Sequence, residues 1–136
     1  MKKIFILAGG YSKEREISLK TAKSVHKELI KNSNYNIKIQ EPNGEFIKYL
    51  RKFKPDVVLN LLHGRYGEDG YVQSILEIEK VNYTHSGVLS SSLAMDKDLS
   101  KKIFIKNKIL TPKYIKFSFR KILKQKSFLK LINSKF

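Results

Sequence analysis

The 136-residue chain, with 41% hydrophobic and 29% charged residues, has the composition of one globular domain rather than a disordered protein. It has no cysteine, which excludes a disulfide scaffold, a thiolate nucleophile and cysteine-based metal centres within this sequence. The longest apolar run, Ile4 to Ala8, is too short to cross a bilayer, and glycines and charges follow where a signal peptide would continue its apolar core. We therefore expect a cytoplasmic protein.

Positive charge is concentrated in the last 40 residues. Residues 1–96 contain 15 basic and 11 acidic residues, whereas residues 97–136 contain 13 basic residues and one acid, Asp98. A basic tail can indicate nucleic-acid binding. Here 24 of the 28 basic residues are lysines scattered along the chain, whereas proteins that bind phosphate backbones usually contain more arginine. A general lysine bias of the proteome is therefore the favoured explanation.

The first half of the chain predicts strands and helices in alternation. The apolar block at residues 3–7 predicts a buried strand. A helix is predicted over residues 14–31, because side chains suited to an inward face recur every four residues, namely Ile17, Thr21, Val25 and Leu29. Residues 35–39 alternate as a second strand, and a short helix is predicted over residues 46–53.

The alternation continues through the middle of the chain. Residues 57–62 form an apolar run typical of a strand covered on both faces. A helix over residues 70–78 and a short fourth strand over residues 81–84 follow. This order predicts an α/β fold, a Rossmann-like open parallel sheet with helices on both sides. Such sheets bind ligands beyond the carboxyl ends of their strands.

The last third of the chain departs from this pattern. Residues 98–106 predict a helix, residues 114–119 a strand, and residues 120–132 a basic amphipathic helix. The apolar residues of that last helix have no obvious partner in the sequence. We therefore expect an open-sheet domain over residues 1–96, and over residues 97–136 the start of another domain that the chain does not finish.

Glycine-rich polar segments follow three of the predicted strands. Gly9 and Gly10 allow a ligand to approach the backbone closely before a helix start, although taken alone an ordinary tight turn is the favoured explanation. Residues 63–70, HGRYGEDG, are the densest polar cluster and the strongest site candidate. Ser86 and Gly87 follow the fourth strand.

Two charged side chains are ambiguous on their own. Glu14 lies at the start of the first predicted helix, where the helix dipole favours a solvated carboxylate; binding of a substrate ammonium is the alternative. Lys97, taken alone, would be an ordinary surface lysine. The sequence contains no Walker A motif, no zinc-ligand spacing and no G-x-S-x-G elbow.

Four segments, in this order, resemble the amino-terminal part of the D-alanine–D-alanine ligase family of ATP-grasp enzymes. They are residues 8–19 (AGGYSKEREISL), 63–70 (HGRYGEDG, with Gln73 and Glu77 following), 83–89 (YTHSGVL) and 92–97 (SLAMDK). The resemblance covers roughly residues 4–112. It implies a pre-ATP-grasp domain over residues 1–96, followed by the first elements of an ATP-grasp domain.

The resemblance implies a reaction of peptidoglycan synthesis. In the family, ATP phosphorylates the carboxylate of one D-alanine, and the amine of a second D-alanine attacks the acyl phosphate to give the dipeptide, ADP and phosphate. Mg²⁺ bridges the phosphates and offsets the developing charge. D-alanine and ATP are thus the implied partners, a homodimer is common in the family, and no nucleic acid or membrane is expected.

The resemblance also implies roles for individual residues. Glu14 would bind the ammonium of the first D-alanine, and His63 would help to orient that substrate. Gly9 and Gly10 would lie near its carboxylate. Ser86 and Gly87 would shape the pocket wall, and Lys97 would reach the ATP phosphates.

Two departures accompany the resemblance. His85 stands where the family commonly has glycine, and the family's magnesium ligands would lie beyond the point that corresponds to residue 136. We therefore expect no ligase activity from this chain alone. Alternatives are a relative that uses another second substrate and a non-catalytic basic module that binds nucleic acid. The latter predicts binding that weakens steeply with salt.

Overall fold

The computed structural model describes residues 1–116, which contain three strands and five helices. The chain divides after Asp96 into two compact units, with β1 to α4 in the first and α5 in the second. No helix within residues 1–116 has the length and apolar character needed to cross a membrane. The elements in chain order are β1 (Lys2–Leu7), α1 (Arg15–Leu29), β2 (Tyr35–Gln40), α2 (Phe46–Phe53), β3 (Val57–Asn60), α3 (Tyr71–Ile78), α4 (Val88–Met95) and α5 (Lys97–Lys106).

The three strands form one parallel sheet in the order β2-β1-β3. Ile4 of the central strand lies opposite Ile37 on one side and Val57 on the other. Because both connections between parallel strands need a crossover, α1 and α2 are the helices that return the chain. The predicted open parallel α/β sheet is confirmed.

Helices cover both faces of the sheet, as predicted. Successive side chains of a strand point to opposite faces, so β1 contributes to two separate hydrophobic clusters. Phe5 and Leu7 pack in a cluster with Leu50 of α2 and Leu76 of α3. Ile6 belongs to the opposite cluster. The remaining buried members of that opposite cluster are Ile4, Ala8 and Ala22 of α1.

The predicted inward face of α1 is only partly right, because Val25 and Leu29 pack against the core but Ile17 does not. The side chains that α1 buries are Ser18 and Ala22, whereas Ile17 is 56% exposed, so its placement on the inward face is wrong. Ser18 lies inside because its Oγ accepts a hydrogen bond from the Gly9 N–H (2.8 Å) and donates one to the Leu61 carbonyl (2.6 Å). These two hydrogen bonds join α1 to the segments that follow β1 and β3, and so determine which face of the helix points inward.

The region after β3 corrects two further predictions. β3 ends at Asn60 rather than at residue 62, because the Leu62 N–H donates to the side-chain Oδ1 of Asn60 instead of to a neighbouring strand. The predicted fourth strand at residues 81–84 makes only an isolated bridge, between Val58 and Tyr83. α4, which the sequence did not predict, follows directly.

In the second unit, α5 confirms the helix predicted over residues 98–106. Asp98 accepts hydrogen bonds from Lys102 Nζ (2.8 Å), Lys116 Nζ (2.6 Å) and the Tyr114 hydroxyl (3.1 Å). These donors, Lys102 first, lower the pKa of Asp98 from 3.8 to about 2. Residues 114–116 are not in a strand. The rest of the strand predicted over residues 114–119, and the helix predicted over residues 120–132, lie outside the described residues.

Candidate functional site

A cavity of about 560 Å³ opens where the parallel strands end. Its walls come from the segments that follow β1, β2 and β3, together with side chains of α2 and α3. The carboxyl edge of an open parallel sheet is where such folds bind ligands. Of the residues predicted from the sequence, Gly9, Gly10 and His63 line this cavity. The apolar part of the wall comes from Phe46, Ile47, Leu62, Val72 and Ile75.

The glycine pair after β1 adopts a backbone conformation that favours glycine. Gly9 and Gly10 have φ angles of +83° and +87°. The Gly9 N–H donates to Ser18 Oγ (2.8 Å) and the Gly10 N–H donates to Glu41 Oε2 (3.3 Å). A Cβ on Gly9 would overlap the Glu41 carboxylate. Both backbone donors predicted to face a substrate anion are therefore engaged by side chains of the protein itself.

Glu41, which the sequence analysis did not single out, is held beside this turn by Arg15. Arg15 donates from Nε to Glu41 Oε2 (3.0 Å) and from Nη2 to Oε1 (2.6 Å). The Arg15 guanidinium lowers the pKa of Glu41, and the Gly10 N–H lowers it further. Its position immediately after β2, at the third strand end of the sheet, was the signal that could have identified it.

Glu14 and His63 are connected through the hydroxyl of Ser12. Ser12 Oγ donates to the His63 carbonyl (2.7 Å) and accepts from the Glu14 N–H (3.1 Å). Oε2 of Glu14 lies 2.6 Å from the position that a Cβ on Gly64 would occupy. Glu14 is exposed and does not line the cavity. The structure thus places Glu14 beside the loop that carries His63, with the Glu14 carboxylate in solvent and outside the cavity lining.

His63 presents a ring nitrogen that needs a partner. Its Nδ1 is 4.0 Å from Glu68 Oε1, and Glu68 Oε2 accepts the Gly64 N–H at 2.7 Å. Its Nε2 is buried and makes no hydrogen bond with any group of residues 1–116. Buried polar atoms normally have a partner. An unmatched nitrogen in a side chain that lines a cavity is therefore a candidate contact for a ligand.

Two buried amide side chains hold the loop that carries His63. Asn60 Nδ2 and Gln73 Nε2 both donate to the Gly67 carbonyl, at 2.8 and 2.9 Å. Asn60 Oδ1 accepts the Leu62 N–H (3.2 Å), and Asn60 Nδ2 also lies 3.1 Å from His85 Nδ1. Asn60 is 1% exposed and Gln73 is fully buried. Neither was predicted to act at the site, because both lie within segments that read as core.

The other predicted site residues do not line the cavity. Gly87 is the N-cap of α4, and the Ser86 carbonyl accepts a hydrogen bond from Ser91 Oγ (3.0 Å). Lys97 is exposed at the start of α5 in the second unit. Within residues 1–116, no three histidine, aspartate or glutamate side chains are grouped so that they could hold a metal ion. The roles assigned to Ser86, Gly87 and Lys97 stay predictions.

The fold and the site together define a class. The first unit is a small open parallel α/β domain with a cavity at its strand ends. The Glu14 carboxylate lies beside the loop of His63, and His63 Nε2 has no hydrogen-bond partner among residues 1–116. Charges of this kind suit a small ligand that carries an ammonium group. The class is an open parallel α/β domain with a candidate ligand cavity at its strand ends.

Comparison with known proteins specifies the class further. No protein-family model matches the chain. A D-alanine–D-alanine ligase of Pelagibacter ubique (strain HTCC1062) is 65% identical over 120 residues, 88% of this chain and 39% of that protein. The ligase of Carboxydothermus hydrogenoformans is 44% identical over 117 residues, 86% of this chain and 37% of that protein.

Solved structures agree with these relatives. A D-alanine–D-alanine ligase from Bacillus anthracis, complexed with ATP, matches with a TM-score of 0.73 and 34% identity over 91% of this chain and 44% of that chain. A second structure of the Bacillus anthracis enzyme gives a TM-score of 0.78 over 100% of this chain and 43% of that chain. The chain thus spans about two fifths of the curated relatives and is similar to the amino-terminal part of D-alanine–D-alanine ligases, which confirms the resemblance seen in the sequence.

Proposed function

We propose that this chain is the D-alanine-binding part of an ATP-dependent ligase that joins two D-alanines through an acyl phosphate. The observation that carries the proposal is the position of the Glu14 carboxylate beside Gly64, directly after His63, at the strand ends. His63 lines the cavity, and its buried Nε2 has no hydrogen-bond partner among residues 1–116. The names of the similar proteins support the same reaction.

Each residue of the pair suits one part of an amino acid. The Glu14 carboxylate accepts hydrogen bonds from the ammonium of the first D-alanine, and such charge-assisted bonds are the stronger kind. His63 contacts the same substrate through its ring and fixes its orientation. Holding the carboxylate of the substrate in line for phosphoryl transfer is the main contribution of such a site, because positioning replaces a bimolecular encounter.

The proposed reaction also needs ATP and Mg²⁺. ATP supplies the phosphoryl group, and Mg²⁺ offsets its charge when bound. Lys97 is proposed to contact the ATP phosphates, and Ser86 and Gly87 to shape the pocket wall. We assign Mg²⁺ to no residue, because residues 1–116 contain no suitable group of ligands. The product would enter peptidoglycan synthesis in the cytoplasm.

A chimera tests the proposal. The 120 residues of this chain that match the Pelagibacter ubique protein replace the matching segment of that protein, and ADP release from Mg-ATP is measured against D-alanine concentration. We expect D-alanine-dependent turnover. Glu14→Gln should lower kcat/KM for D-alanine about 10- to 100-fold, because one hydrogen bond to a charged group is weakened.

Glu28→Gln is the matched control. Glu28 lies on α1, the helix that follows Glu14, and pairs with Lys31 Nζ at the surface, so its substitution should leave the kinetics unchanged. A chimera without D-alanine-dependent turnover would contradict the proposed function. Equal kinetics for Glu14→Gln and Glu28→Gln would contradict the role of Glu14.

A further inference from the structure

We propose that Ser12 is a positioning residue that couples Glu14 to His63, so that both side chains meet the same substrate. The inference rests on the proposed function. A single hydroxyl, Ser12 Oγ, joins the two residues, at 2.7 Å from the His63 carbonyl oxygen and 3.1 Å from the Glu14 nitrogen.

The direction of both bonds is set by chemistry. A carbonyl oxygen only accepts, so the Ser12 hydroxyl hydrogen points to His63. A backbone N–H only donates, so a lone pair of the same oxygen faces Glu14. The hydroxyl therefore donates its one hydrogen to the loop after β3 and accepts a hydrogen bond from the turn before α1. A side chain without a hydroxyl cannot make both contacts.

Packing around Gly64 reinforces the connection. The position of a Cβ on Gly64 lies 3.5 Å from Ser12 Cβ and 2.6 Å from Glu14 Oε2. Gly64 has φ +71°, a left-handed conformation that glycine adopts without strain. The side chains of Ser12 and Glu14 thus pack against the backbone of Gly64, immediately after His63. A small displacement of the turn before α1 or of the loop after β3 would therefore change the distance between Glu14 and His63.

A second serine, Ser18, holds the same region together, so the effect of removing the Ser12 hydroxyl can be distinguished from a loss of fold stability. Ser18 ties Gly9 to Leu61, the same two strand ends, and it is completely buried. Ser12 is only half-buried. Removing the Ser12 hydroxyl leaves the Ser18 tie in place. We therefore expect the sheet to stay folded while Glu14 and His63 lose their fixed spacing.

Kinetics of the chimera test the positioning role. Ser12→Ala should raise KM for D-alanine about 10-fold, the usual effect of losing one hydrogen bond, and leave KM for ATP unchanged. Ser12→Thr keeps the hydroxyl and should restore KM to within about twofold of the parent. Equal KM values for Ser12→Ala and Ser12→Thr, or an equal rise in KM for ATP, would overturn the proposal.

Carbon–proton NMR of the histidine rings tests the coupling without ligase activity. The full 136-residue chain contains only three histidines, of which His26 on α1 serves as the internal reference. Glu14→Gln should shift the ring signals of His63, and the same substitution in the Ser12→Ala chain should shift them much less. Equal shifts in the two chains would overturn the coupling, whatever the kinetics.

The kinetics and the NMR shifts together distinguish failure of the proposed function from failure of the Ser12 proposal. If the chimera shows no D-alanine-dependent turnover, the proposed function is wrong, and so is the role of Ser12 in positioning substrate residues. If the His63 signals are nevertheless coupled to Glu14, the coupling through Ser12 is still supported. Turnover with uncoupled signals removes the Ser12 proposal and leaves the proposed function in place. Turnover, coupled signals and the rescue by Ser12→Thr together support both.

Discussion

Asn60→Ala should be among the most destabilising polar substitutions in the first unit. The Asn60 side chain contacts three partners, the Leu62 N–H, the Gly67 carbonyl and His85 Nδ1. The Gly67 carbonyl keeps its bond from Gln73, but the buried Leu62 N–H is left without an acceptor. One orphaned buried donor and two lost hydrogen bonds lower the free energy of unfolding by about 3 kcal/mol.

Urea unfolding of the full chain, followed by far-ultraviolet circular dichroism, measures this loss. Asn36→Ala is the matched control, because Asn36 is an exposed asparagine in β2 and its loss should change the free energy of unfolding by less than about 0.5 kcal/mol. If Asn60→Ala behaves like Asn36→Ala, the amide is not the anchor of the His63 loop, and the reasoning is wrong.

Asn60→Asp tests the donor role separately. The introduced carboxylate has nearly the same shape and can still accept the Leu62 N–H, but when ionised it cannot donate to the Gly67 carbonyl. Burial beside a carbonyl oxygen raises the pKa of such a carboxyl group in the folded state. Its folded form therefore binds more protons, and the variant should lose stability as pH rises above about 4.

Two further predictions concern single side chains. His85 has φ +104°, so His85→Gly, which relieves the left-handed strain, should be more stable to urea than His85→Ala by about 1–2 kcal/mol; the opposite order would show that the backbone there is unstrained. Carboxyl-carbon NMR should show Asp98 titrating near pH 2, and Lys102→Met should move that midpoint upward, because Lys102 is the first cause of the lowered pKa. Since the folded pKa is depressed, the stabilisation from Asp98 is complete above pH 4 and is lost as pH falls towards 2, a loss that Asp98→Asn should abolish.

Local patterns were sufficient for much of the fold. α2 occupies residues 46–53 as predicted from the helical spacing of Ile47 and Leu50. Leu50 is buried as expected, whereas Phe46 is the second buried residue and Ile47 is only partly buried against the core. β1 follows from a block of apolar residues that only a central strand buries on both faces. α4 was not predicted, because its sequence VLSSSLAM has no apolar stripe, and Ser91 is its only buried residue.

The candidate site was predictable where residues act within their own segment. The loop of His63 was predicted as a site because polar residues are dense there, directly after an apolar strand. In the structure, His63 lines the cavity. Glu41, Asn60 and Gln73 act through partners on other elements or loops. Glu41 meets Arg15 at a separation of 26 residues, and Asn60 meets His85 at a separation of 25, so no periodicity in the sequence marks them.

The carboxylate of Glu41 occupies the backbone donor at Gly10 that an anion from solution would otherwise use. Two hydrogen bonds to Arg15 tether it, so at Gly10 it competes as a neighbour attached to the same molecule rather than as a solute. A simple acetate or phosphate ion that offers only one contact meets this resident competitor at a high effective concentration. Under the proposed function, an amino acid that is already held by its ammonium would compete for the same N–H as a tethered group rather than as a solute.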